Sequence, residues 1–139
     1  GGSASDSEHL AAELIGRYLK NRKSYSAISL TSNNSIITAI ANDYGYQDIF
    51  SRQIEGIGKK DDVLFAITTS GKSANIIKAL KTAKSKKIKT ILLTSIKLKK
   101  NKNLADITLR VPASRVDRIQ EMHIALGHII CEQIEKKLK

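Results

Sequence analysis

Asp62-Val63-Leu64-Phe65-Ala66-Ile67-Thr68-Thr69-Ser70-Gly71-Lys72-Ser73 is an unbroken apolar run that ends in a hydroxyl-rich turn. A strand without polar alternation is typical of a parallel sheet covered on both faces. Downstream, Ser73 to Lys84 has a helical pattern, and Ile88 to Thr94 reads as a second buried strand. Asp106 to Val111 reads as a third, stopped by Pro112, and a long helix is expected from Arg115 to the end. Upstream, Ser26 to Thr31 alternates and reads as another strand, before a short helix from Ile36 to Asn42. Tyr46 to Gly58 is expected to be helical, closed by the turn Lys59-Lys60-Asp61. From Asp6 to Leu19, Leu10, Leu14 and Tyr18 recur every four residues, an amphipathic helix with Ser5 or Asp6 as N-cap. Strands alternating with helices imply a parallel sheet of right-handed βαβ units. Ligands in such sheets sit beyond the carboxyl ends of the strands, the edge occupied by Thr31 and the Thr68 turn.

With 139 residues the chain makes one domain with a real core. A hydrophobic content of 41% and a charged content of 27% are those of a globular protein. No apolar stretch reaches the roughly 20 residues a membrane helix requires. The single cysteine, Cys131, can form no internal disulfide and reads as a buried thiol in a reducing, cytoplasmic protein. The net charge of +11 raises a nucleic-acid surface, but aromatics are only 4% with no Trp, which favours solvated lysine-rich helix faces. The opening Gly1-Gly2-Ser3 reads either as a tag linker or as part of a loop in a longer chain.

Two constellations carry chemistry. Thr68-Thr69-Ser70-Gly71-Lys72-Ser73 approaches a Walker A loop but has Ala66 where that loop needs its first glycine. What remains is a short anion site of hydroxyls and helix N–H groups, suited to one terminal phosphate, or simply a helix cap. His9 and Glu13 stand four residues apart, and Gln120 and His128 eight apart. One and two helical turns point each pair roughly one way, as metal ligands or as ordinary surface pairs.

Gly1 to Ala4 followed by Asp6-x-x-His9-x-x-x-Glu13-Leu14, with Gly16-Arg17-Tyr18, resembles the first loop and helix of the sugar isomerase (SIS) domain, and within it of the phosphoheptose isomerases. Ala41 to Tyr46 with Phe50 to Gln53, Thr68 to Ser73, and Arg118 to Ile124 with Gly127-His128 resemble three further blocks of that family in order. The resemblance covers essentially the whole chain. It implies a three-layer α/β/α sandwich around a central parallel sheet, flavodoxin-like or Rossmann-like, with residues 1–139 forming a single domain. It also places Gly1 inside a loop, with the family's N-terminal helix and first strand expected before it.

The resemblance further implies one zinc ion per subunit on His9, Glu13, Gln120 and His128. Substrate contacts carry over to Gly1, Gly2, Ser3, Glu13, Asn42, Asp43, Thr68, Thr69, Ser70, Ser73 and Gln120, and less firmly to Arg17 and Asp117. The implied reaction converts sedoheptulose 7-phosphate to D-glycero-D-manno-heptose 7-phosphate through a cis-enediol, with Glu13 as base and His128 as acid. The implied setting is a cytoplasmic homotetramer supplying heptose to lipopolysaccharide or a related glycan, without membrane or nucleic-acid partners. Relatives of the same fold that bind a replication initiator or sense phosphosugars give the alternative, and the presence of both Glu13 and His128 argues against it. The chain departs from the family at Lys72, commonly Asn there, and at Ser95 to Lys100, where a glycine-rich turn is usual.

Overall fold

The computed structural model describes residues 1–98 and 103–138. Three strands, β1 (Val63–Ile67), β2 (Lys89–Ser95) and β3 (Ile107–Val111), form one sheet in that order. Both pairings are parallel, with Ala66 opposite Leu92 and Leu93 opposite Leu109. All three lie within one residue of their expected bounds. Around them run α1 (Gly2–Ile15), α2 (Asn34–Tyr44), a 3-10 turn at Tyr46–Asp48, α3 (Ser51–Ile57), α4 (Ala74–Ser85) and α5 (Val116–Lys137).

Side chains alternate across a strand, and that alternation builds the three layers. Ala66 and Leu92 point to one face, where Leu80 of α4 completes a core cluster. Ile67 and Leu93 point to the other, against Leu10 of α1 and Cys131 of α5. α3 extends the first face, with Ile54 packed beside Ala79 and Ala83 of α4. Cys131 is buried as expected, and burial pushes its thiol pKa up. Deleting a core side chain such as Leu10 removes about 2–5 kcal/mol.

Two expectations are corrected. Ser26 to Thr31 is not a strand. Among the described residues its backbone has no ladder partner, Ile28 is exposed, and the hydroxyls of Ser29 and Thr31 bond to α1 instead. The first helix starts at Gly2, capped by Gly1, and stops at Ile15, not at Leu19. It cannot continue because a carboxylate from the far end of the chain takes the next backbone donors. Glu135 accepts from the N–H groups of Tyr18, Leu19 and Lys20 at 2.9, 2.9 and 3.0 Å. The expected helix from Tyr46 to Gly58 is likewise divided, by residues 49 and 50, into the 3-10 turn and α3. The departure from the family at Ser95 to Lys100 lies partly outside the described residues, at positions 99 and 100.

α1 and α5 run in the same direction, side by side. Gly2 faces Gln120, and Leu10 lies over Gly127, where an added Cβ would come within 2.6 Å of Leu10 Cδ2. Glu135 closes the far end of this pair. Arg22 Nε donates to its Oε1 at 2.8 Å, and the other nitrogens of the same guanidinium cap the carbonyls of Glu13 and Leu14 at 2.8 and 2.9 Å.

Burial alone would raise the Glu135 carboxyl, but its three backbone donors and Arg22 outweigh that and lower its pKa from 4.5 to about 2. A carboxyl that holds its proton more weakly when folded stabilises the fold above its unfolded pKa, and that contribution is lost as pH falls towards the folded value. Between pH 4.5 and about 2, the wild type is therefore expected to lose stability more steeply than Glu135→Gln. Chemical denaturation across that window checks this, and parallel curves for the two proteins would contradict it.

Candidate active site

The pairing of α1 with α5 brings three expected residues face to face. His9 Nε2 lies 3.0 Å from Glu13 Oε1 and 3.5 Å from His128 Nε2. One ligand atom from each of the three lies within 4.8 Å of the others. The His9 and His128 rings meet edge to face, with centroids 5.0 Å apart. The His9 side chain is 49% exposed and that of Glu13 21%, so the cluster opens to solvent.

This spacing fits a divalent ion. Bonds of about 2.0–2.2 Å to nitrogen and oxygen in a tetrahedral site separate the ligand atoms by about 3.4 Å. The two short distances here bracket that value, and the donors are two imidazole nitrogens and one carboxylate oxygen. Gln120 behaves differently. Its amide lies against Gly2, where a Cβ would meet Nε2 at 2.5 Å. It stands eight residues before His128, about 12 Å of helix rise. The structure thus joins three of the four expected ligands and sets the fourth beside the first turn of α1.

At the carboxyl end of β1, Thr68 Oγ1 and Ser73 Oγ are 3.0 Å apart, and Ser70 Oγ accepts from the Lys72 N–H at 3.1 Å. Ser73 is the N-cap of α4, so that helix's unpaired N–H groups open beside these hydroxyls. Gly71 has a φ of 65°, favourable to glycine, and is buried against Leu98 and Thr94. Ser95 Oγ donates to the Thr69 carbonyl at 2.6 Å, tying the turn to β2. The Thr68 and Ser73 hydroxyls thus meet at the start of α4, in a turn tied to β2 through the Thr69 carbonyl.

The remaining expected contacts are spread more widely. The Gly1 carbonyl accepts from Ala4 and Ser5 as the cap of α1, with Gly2 and Ser3 in its first turn. Asn42 and Asp43 end α2 with exposed side chains that bond to each other at 2.8 Å. Arg17 is exposed beyond α1, and Asp117 pairs with Arg115 on the surface at 2.5 Å.

Three residues near these side chains were given no role in the site by the sequence reading. Tyr18 stacks on His128, with centroids 5.5 Å apart and planes 25° apart. His123 is fully buried, and its Nε2–H donates to the Thr94 carbonyl at 3.0 Å. Asp6 lies on α1 with one carboxylate oxygen buried and unpartnered. Burial raises its pKa, against the opposing pull of His123 and His9. Such residues carry no ligand spacing of their own, because only the pairing of distant elements gives them these neighbours.

A parallel α/β sheet, a hydroxyl-rich turn at its carboxyl edge and a metal-spaced triad on two flanking helices define the class, and the SIS domain model matches residues 1–95. Phosphoheptose isomerase from Akkermansia muciniphila is 47% identical over 138 residues, which cover 99% of this chain and 73% of that protein. That from Helicobacter pylori strain P12 is 53% identical over 136 residues, 98% of this chain and 71% of that one. The phosphoheptose isomerase structure from Francisella tularensis superposes with a TM-score of 0.89 at 35% identity, covering 99% of this chain and 73% of its own. That from Neisseria gonorrhoeae superposes at 0.87 with 41% identity, covering 98% and 72%. The chain belongs to the SIS domain family, among its phosphoheptose isomerases, and is an isomerase with a sugar-phosphate role.

Proposed function

We propose that this protein interconverts sedoheptulose 7-phosphate and D-glycero-D-manno-heptose 7-phosphate, in the cytoplasm, for cell-surface heptose synthesis. The observation that carries the reading is the approach of Glu13, His9 and His128 across two helices. Ketose–aldose isomerisation needs a base at carbon and an acid at oxygen, and these groups supply both. Glu13 takes a proton from C1, whose C–H electrons become the C1–C2 double bond of the enediol. The carbonyl π electrons take up a proton at O2, given by His128. Return of the carbon proton to C2 and loss of the proton from O1 complete the exchange. The hydroxyls of Thr68, Thr69, Ser70 and Ser73 hold the phosphate, with Gly1, Gly2, Ser3, Asn42, Asp43 and Gln120 around the sugar.

His9, Glu13 and His128 would hold a zinc ion, while Gln120, about 12 Å along α5 from His128, is left to contact the sugar. Bound there, zinc would supply Lewis-acid polarisation of the substrate oxygens. Glu13 would then be both a ligand and the base.

Glu13→Gln keeps the size of the side chain but removes the proton acceptor. Turnover of sedoheptulose 7-phosphate should fall by about two to four decades. Ser73→Ala removes one hydrogen bond to a charged group, roughly 1.5–3 kcal/mol, and should mainly raise KM by about ten- to a hundredfold. Aldose formation followed in the full-length protein checks both. Turnover within about threefold of wild type in Glu13→Gln would assign that carboxylate no proton-transfer role.

We also propose a homotetramer. α5 divides its apolar residues: Ile119 enters the core, whereas Met122 and Ile129, seven residues apart and so on one face, remain 45% and 54% exposed. An exposed apolar row on a long helix suits a helical interface between copies. Sedimentation of the full-length protein should give four chains per particle, and a monomer at micromolar concentration would contradict the assembly.

A further inference from the structure

Among the protein's own groups, the His128 ring is contacted mainly by other rings. Among the described residues its one hydrogen-bond contact is the 3.5 Å approach to His9, too long to fix an imidazole plane. Its ring neighbours are His9, edge to face on one side, and Tyr18, stacked on another. Tyr18 in turn lies beyond the end of α1, in a segment with no helix or strand of its own.

What holds Tyr18 is Glu135. Its carboxylate takes the Tyr18 N–H at 2.9 Å and the next two N–H groups on both of its oxygens. Arg22 completes the set, and the same guanidinium caps the Glu13 carbonyl. Glu135 is itself buried, seven residues after His128 on α5 and thus about two turns along it. One buried acid therefore ties the end of the helix that carries Glu13 to the ring that covers His128.

We propose that Tyr18 is a positioning residue for His128, and that the buried Glu135 carboxylate holds Tyr18 in that place. The contact uses the face of the ring, so Tyr18→Phe preserves it and Tyr18→Leu removes it. Glu135→Gln acts one step back. An amide presents one oxygen and one NH2 to four donors, so part of the Tyr18–Arg22 segment loses its acceptor.

The chain has three histidines, so a carbon-resolved NMR spectrum of the imidazoles of the full-length protein is simple to assign, with His128→Asn marking the His128 signals. A stacked aromatic face shields the protons beneath it. The His128 resonances are expected at a shielded position in wild type and Tyr18→Phe, and to move downfield in Tyr18→Leu and Glu135→Gln. Unmoved His128 resonances in folded Tyr18→Leu would overturn the proposal. Misplacing a reacting group by about an ångström costs up to roughly a hundredfold in rate. The kinetic arm rests on the isomerase reading: kcat should fall by about ten- to a hundredfold in Tyr18→Leu, with KM within about threefold and Tyr18→Phe close to wild type. A loss shared equally by Tyr18→Phe, or an unchanged kcat in Tyr18→Leu, would also overturn positioning. A wild type that shows the shielding but no turnover of sedoheptulose 7-phosphate would overturn the substrate assignment and leave the ring contact standing.

Discussion

The parallel contact of α1 with α5 is the constraint on which the rest of the molecule depends. Leu10 lies over Gly127 because a residue without a side chain lets the two helices approach there. That approach sets His9 and Glu13 opposite His128, and any side chain at position 127 would have to displace Leu10 or part the helices. Leu10 also reaches Ile67 and Leu93, so the helix pair is keyed to the sheet by the same residue. Glu135 then fixes the far end of the pair. Packing and polar anchoring act on one register, which is what a site shared between two helices requires.

The sheet contributes the second half of the site. β1 ends in Thr68, β2 in Thr94 and Ser95, and both ends face the same edge. The hydroxyl-rich turn is fastened there through the Ser95 hydroxyl and Gly71, while His123 reaches from α5 to the Thr94 carbonyl.

Much of this was legible in the sequence, for a physical reason in each case. The strands could be read because full burial on both faces leaves uninterrupted apolar runs, as in Val63 to Ile67. His9 and Glu13 could be paired because four residues make about one helical turn. His128 could not be joined to them by spacing, since 119 residues separate it from His9, and only the family resemblance linked the two. The end of α1 was misplaced because Glu135, 117 residues from Tyr18, takes the donors a longer helix would use. Ser26 to Thr31 alternates as a strand does, but alternation specifies a face and not a partner. Tyr18, Asp6 and His123 gain significance only through neighbours on other elements.

On the proposed reading, α1 and α5 together hold one metal ion. Anomalous diffraction at the zinc edge, on crystals of the full-length protein grown with zinc, tests it most directly. A single strong peak is expected about 2.0–2.2 Å from His9 Nε2, a Glu13 carboxylate oxygen and a His128 ring nitrogen. A zinc-loaded crystal with its peak elsewhere, or with no peak among these three residues, would contradict it.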